Sequence, residues 1–201
     1  MKVGLFRRAT SFIFDALPIV LIVSIAYTTF IGDMLKTEDY DALMEEYNAY
    51  NDQYYEAIKP YQEQLDNGEI TQNEYLDLVE DDYNTLIDNT VEHREALIFY
   101  IIRSFAFHFF AFTALYYAYS VLLKGRTYGR RLLKIELGGR INWWTLLIRE
   151  VIYKMFFWLL TLFVLGIGID IATIVFGQRK RTLRDRISHT YVKFEGVDYP
   201  F

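Results

Sequence analysis

From Ser11 to Ile31 the chain runs for 21 residues with a single charge, Asp15. A helix of that length, rising about 1.5 Å per residue, covers the roughly 30 Å hydrocarbon core of a bilayer. Twelve of these residues are Leu, Ile, Val or Phe. Each favours insertion by about 0.3–0.6 kcal/mol, against roughly 3 kcal/mol for one central Asp, so the segment inserts and takes its carboxylate with it. Lys2, Arg7 and Arg8 precede the run and would suit a cleaved signal peptide. The run is too long for a signal core, however, and no small-x-small cleavage site follows, so it reads as a retained anchor.

A second apolar stretch, Ala96 to Leu123, is interrupted by Arg103 and His108 and ends at Lys124-Gly125-Arg126. Its small and polar residues Ser104, His108, Ala111 and Ala118 recur at helical spacing, which predicts a face that a neighbouring helix can approach. Arg103 lies near the outer end, where it can snorkel, and His108 reads as a packing residue. A third apolar region, Trp143 to Phe176, carries Arg149, Glu150 and Lys154 near its start and Gly166 and Gly168 within it.

Charge is sorted to match. Residues 32–96 hold 19 of the 26 acids and only three bases, a net of −16, while the remainder carries +11. Bases flank the first span before it and the second span after it, so both flanks read as cytoplasmic and the acidic segment as external. The tail is also basic, with Arg179, Lys180, Arg181, Arg184, Arg186 and Lys193, and three full spans would place it outside. Either the tail breaks the tendency, or Trp143 to Phe176 enters and returns as a helical hairpin turning near Gly166 and Gly168. The hairpin is the preferred reading. Its second arm, at about 15 Å, would be re-entrant.

The acidic insertion is periodic. Tyr40, Tyr47, Tyr54 and Tyr61 recur every seven residues with Leu43, Tyr50 and Ala57 between them, a coiled-coil-like seam. After Asn67-Gly68, Thr71 and Glu74 fit a capping box, and Tyr75, Leu78, Val79, Leu86 and Val91 continue an apolar stripe. An antiparallel helical hairpin is expected, with Pro60 able to kink or end its first arm. Leu133, Ile135 and Leu137 alternate with charges, as do Thr190, Val192 and Phe194 with Tyr191 and Lys193, which predicts two short strands that pair as a cytoplasmic ribbon.

Several chemistries are excluded. The chain has no cysteine, which removes disulfides, thiol catalysis and cysteine-ligated metals. Its acids lack EF-hand spacing, and no zinc, nucleophile-elbow or nucleotide signature occurs. Gly125-Arg-Thr-Tyr-Gly129-Arg-Arg lacks the gap and the Lys-Ser/Thr ending of a phosphate loop. Gly166-Ile-Gly168-Ile-Asp170 carries one residue too many for an intramembrane aspartyl protease, rotating the carboxylate about 100° off the required face. The clustered bases flank spans and serve orientation and anionic lipid rather than nucleic acid. Asp15 is the candidate that remains. It shares a helix face with Arg8, with Ser11 and Pro18 near that stripe, and Arg149 and Lys154 are the best cationic partners. A plain hydrated or helix-bridging carboxylate is an equal reading.

Three segments together resemble the RDD family of prokaryotic integral membrane proteins. They are Arg8-Ala9 with Asp15, Gly125-Arg-Thr-Tyr-Gly129-Arg-Arg-Leu-Leu-Lys-Ile, and Thr182-Leu-Arg-Asp185-Arg-Ile-Ser-His-Thr190. The resemblance covers residues 1–31 and 96–194 and makes Arg8, Asp15 and Asp185 the equivalents of the name-giving residues. It implies at most transport of undefined ligands, including cation/proton exchange. It also raises the chance that Asp15 and Asp185 share one network, although Arg181, four residues before Asp185, offers a simple local ion pair.

The expectation is an all-α, multi-pass protein of the cytoplasmic membrane with a cytoplasmic N-terminus. Residues 1–31 and 96–201 form a membrane domain of three spans with a re-entrant hairpin as the alternative to the third, and 32–95 form the external helical hairpin. The expected activity is non-enzymatic, without cofactor or metal: transport or ion coupling through Asp15, assisted by Arg8, Asp185 and Lys154. The rival is an adaptor or regulator binding an external protein through its hairpin. Expected partners are the bilayer, a second copy to complete any pathway, and that external protein.

Overall fold

The computed structural model describes residues 3–157, 164–176 and 181–197; Lys2, Arg179, Lys180 and the stretch 158–163 lie outside the described residues. The first helix, α1 (Leu5–Ala26), continues through a wider π-helical turn, Tyr27–Ile31, into the short α2 (Gly32–Met34). Then come α3 (Tyr40–Asp66), α4 (Gln72–Asn89) and α5 (Val91–Leu122). Beyond these lie α6 (Tyr128–Leu132), β1 (Ile135–Gly139), α7 (Trp143–Leu146) and a π-helical stretch, Leu147–Phe157. The last elements are α8 (Val164–Val175), α9 (Leu183–Ile187) and β2 (Thr190–Phe194).

Two helical segments are long and apolar enough to cross a membrane, Leu5–Met34 and Val91–Leu122, with mean hydropathies of 2.1 and 1.6 over their most apolar windows. On α1 only one stripe is buried: Arg8, Ser11, Asp15, Ile19 and Val23. Ile13, Leu17, Leu21 and Ile22 on its other faces are all more than half exposed. On α5, Ile98, Phe99, Ile101, Ile102 and Phe105 are exposed to the same degree. Contiguous apolar surface on this scale calls for a covering other than water.

The chain divides into two compact units, Tyr27–Phe107 and the remainder. In the first, α3 and α4 lie against each other after the turn at Asn67-Gly68, and Thr71 caps α4 with Glu74 in the expected box. Pro60 lies inside α3 without ending it. The seam of α3 drifts, since a straight helix advances past a strict heptad: Ile58 is buried where Ala57 was expected inward. Of the expected apolar stripe that follows, Val79 is buried while Leu78 on α4 and Val91 at the start of α5 are exposed. At the base of this unit Tyr27 bonds Tyr100 (2.7 Å) and Ser104 (2.8 Å), and Arg103 donates to the Leu35 carbonyl at 3.2 Å.

In the second unit the predicted strands pair antiparallel, Leu137 opposite Val192. Val3, Ile135, Leu137, Leu146 and Val192 form a small apolar core around that ribbon. The inward residues of α5 here are Thr113, Tyr116 and Ser120, whereas Ala118, expected on the approach face, is exposed. Gly166 and Gly168 fall inside α8 rather than at a turn. Tyr153 donates to Asp170 at 3.4 Å, so the π-helical stretch and α8 lie side by side at that point.

Candidate functional site

The site grows from the buried stripe of α1. Asp15 accepts three hydrogen bonds: Thr127 Oγ1 at 2.5 Å, the Gly129 amide at 2.7 Å and the Tyr119 hydroxyl at 3.2 Å. Tyr119 also accepts from the Tyr128 amide at 2.6 Å. The carboxylate therefore satisfies the start of α6, whose first amides have no partners within their own helix. This demands close approach: a β-carbon on Gly129 would sit 2.1 Å from the Ser11 carbonyl oxygen, so only glycine fits.

Two turns earlier on α1, Arg8 donates to Asp185 Oδ2 at 2.7 Å. Arg149 binds the other oxygen, Oδ1, and also donates to Thr190 at 2.7 Å. Asp185 is fully buried and is also the third residue of α9, where it forms a capping box with Thr182. Burial disfavours its charge, but the Arg149 and Arg8 guanidiniums outweigh that and hold its carboxyl well below the usual carboxylate range.

A third carboxylate, Glu150, gathers Arg130 (2.6 Å), Lys154 (3.2 Å) and Arg149 Nε (3.3 Å). Arg130 also donates to the Gly125 carbonyl at 2.6 Å. Lys154 donates to Tyr116 at 3.1 Å, and its ammonium lies 3.5 Å from the centre of the Phe12 ring. Asp170 faces Arg184 at 3.5 Å. Arg8, Ser11, Asp15, Arg130, Arg149 and Lys154 all face a cavity of about 30 Å³, room for a water or two.

Set against the sequence, Arg8 and Asp15 do share the inward face of α1, while Pro18 points outward. Arg149 and Lys154, expected as partners of Asp15, pair instead with Asp185 and Glu150. The partners of Asp185 come from 177 and 36 positions away rather than from Arg181, which lies over the Tyr191 ring at 5.2 Å. Glu150, Arg130 and Asp170 were not among the expected site residues. A signal for Glu150 was present, since an acid and a base four apart in an apolar run share a helix face.

A family model described as the RDD family matches residues 2–189. The chain belongs to the RDD family. Neither a curated protein nor a solved structure matches it. Membership together with two long apolar helices fits an integral membrane protein. In this RDD protein the three segments that carried the resemblance meet in space: Arg8 on Asp185, and Asp15 on Thr127 and Gly129.

Proposed function

We propose that this RDD protein is a non-enzymatic, multi-pass protein of the cytoplasmic membrane that couples a proton or small cation to transport at Asp15. The observation that carries this reading is a contrast in partners. Among the described residues, the buried carboxylates Glu136, Glu150, Asp170 and Asp185 each have a cation within 3.5 Å. Asp15 is equally buried, but its partners among the described residues are neutral donors, and it lies beside a water-sized cavity. It can gain or lose a proton, or accept a cation, without rupturing an ion pair. The Thr127 and Tyr119 hydroxyls can turn from donors into acceptors as it does so. Arg8, Asp185 and Lys154 belong to the neighbouring ion-paired scaffold that fixes the tail and the central segment around it.

The N-terminus, the central basic segment and the tail read as cytoplasmic, with the acidic hairpin external. Two observations support a re-entrant hairpin rather than a third span. Arg8 near the start of α1 binds Asp185 of the tail. Tyr153 and Asp170 touch at 3.4 Å, whereas one continuous helix would hold them about 25 Å apart. So small a bundle offers few walls for a pathway, so self-association is part of the proposal.

Reconstitution into vesicles tests it. A proton- or cation-linked flux is expected, and Asp15→Asn should abolish it. No flux from the intact protein, or an unchanged flux in Asp15→Asn, refutes the reading.

A second reading rests on the hairpin itself. Tyr55, Leu76 and Tyr83 are 63%, 53% and 49% exposed there, which suits docking of an external protein. Deleting residues 37–95 should then remove a cross-linked partner while leaving flux intact; absence of any such partner counts against it.

A further inference from the structure

We infer that a groove alongside α1 and α8 binds one anionic phospholipid of the cytoplasmic leaflet. The groove has a volume of about 250 Å³. Its walls are apolar, built by Phe12 and Ile13 of α1 and by Ile171 and Ile174 of α8. At its polar end stand Arg8, Lys154 and Arg184, with Asp170 as the one carboxylate among the lining residues. Each of the three cations is paired, Arg8 with Asp185, Lys154 with Glu150 and Arg184 with Asp170. The buried cluster they belong to also contains Arg130 and Arg149 against one further acid, Asp15. The polar end of an otherwise greasy slot therefore keeps a net positive charge and complements a molecule with a negative head and a hydrocarbon body.

The charges are built in rather than incidental: the side chains of Arg8, Lys154 and Arg184 are 5%, 3% and 13% exposed. They are held in place by Asp185, Glu150 and Asp170, so a headgroup meets a prearranged site and need not order three long side chains. The rim is open, since Ile13 is 53% and Ile171 38% exposed. The volume falls below the roughly 300–1,000 Å³ of pockets that enclose a whole small molecule, which fits a headgroup and the first part of a chain whose remainder lies in the bilayer. Basic pockets among membrane helices on the cytoplasmic side bind anionic headgroups in this manner. The inference rests on α1 lying in the membrane, but not on Asp15 carrying flux.

The test is native mass spectrometry of the full chain released from nanodiscs of equal phosphatidylglycerol and phosphatidylcholine. The intact protein should retain one phosphatidylglycerol. Arg184→Gln should weaken retention about tenfold, as should Ile171→Trp, which fills the slot without changing charge. Lys124→Gln, an exposed base outside the groove, should leave it unchanged. The folded state of each variant is checked by protease protection of residues 181–197. Equal retention of both lipids, loss on Lys124→Gln, or full retention in folded Ile171→Trp would overturn the proposal. So would displacement by millimolar inorganic phosphate, which would indicate a soluble anion, or a change of oligomeric state in Ile171→Trp, which would indicate a second copy in the slot. Carbonate extraction of the same membranes separates this failure from failure of the membrane assignment.

Discussion

Two helices in this protein begin with the same four-residue device and come to different ends. Thr71-Gln-Asn-Glu74 opens α4 and Thr182-Leu-Arg-Asp185 opens α9, and each forms a complete capping box. At α4 the box is exposed: Glu74 accepts from the Thr71 amide and hydroxyl at 2.8 and 2.9 Å. Those bonds, the backbone one first, hold its carboxyl below the usual range. At α9 the same box is fully buried and its acid also binds Arg8 and Arg149. A local motif dictates a helix start in both places. Only the cations that arrive from elsewhere in the chain turn one of them into the hub of a buried cluster.

The contrast can be broken most sharply at Asp185. Asp185→Asn leaves two guanidiniums in the interior without their counter-charge, so denaturant unfolding in detergent should lose about 3–5 kcal/mol. Loss of protease protection in residues 181–197 should accompany it. Glu74→Gln should leave the unfolding of that same tail unchanged.

Next is Gly129→Ala. The added carbon meets the Ser11 carbonyl, and overpacking of this kind costs about 1–3 kcal/mol. The matching change in the hairpin turn, Gly68→Ala, meets no neighbour there but carries a φ of +72°, so its effect arises from backbone strain alone. The same denaturant assay should show the larger loss at Gly129.

Acid gives a third and graded effect. A carboxyl held low in the folded state contributes stability that is present above its unfolded value of about 4 and lost as pH falls through the folded one. Protection of residues 181–197 should therefore be flat between pH 7 and 5 and decline only below about pH 4. Loss of protection already at pH 6 would mean that Asp185 does not hold the tail. The smallest effect is expected for Thr71→Ala, about 1 kcal/mol at an exposed cap, visible in the helicity of the isolated change and not in tail protection.

Much of this architecture was legible because local rules govern it. The two long apolar helices follow from run length, the ribbon from alternation at Ile135–Leu137 and Thr190–Phe194, and the start of α4 from Thr71 and Glu74. Two of three misreadings share one physical cause, since each concerned which residues meet across the fold, and the third concerned local backbone. Asp15 was expected to attract Arg149 and Lys154, but α6 reaches it first, because Gly129 permits contact with the backbone at Ser11. Asp185 was offered a near neighbour, Arg181, and is bound by distant ones. Gly166 and Gly168 suggested a turn, yet lie within α8. Glycine spacing reports permission rather than conformation.

Cysteine labelling tests the membrane arrangement on which the account rests most directly, because the chain has no cysteine of its own. Single cysteines are placed at Asn67, in the hairpin turn, and at Glu195, just beyond β2, both exposed positions. With a membrane-impermeant thiol reagent on intact cells, Asn67→Cys should label at once and Glu195→Cys only after the membrane is permeabilised. Labelling of both from the same side would contradict the paired arrangement of spans and, with it, the placing of the charged cluster at the cytoplasmic end.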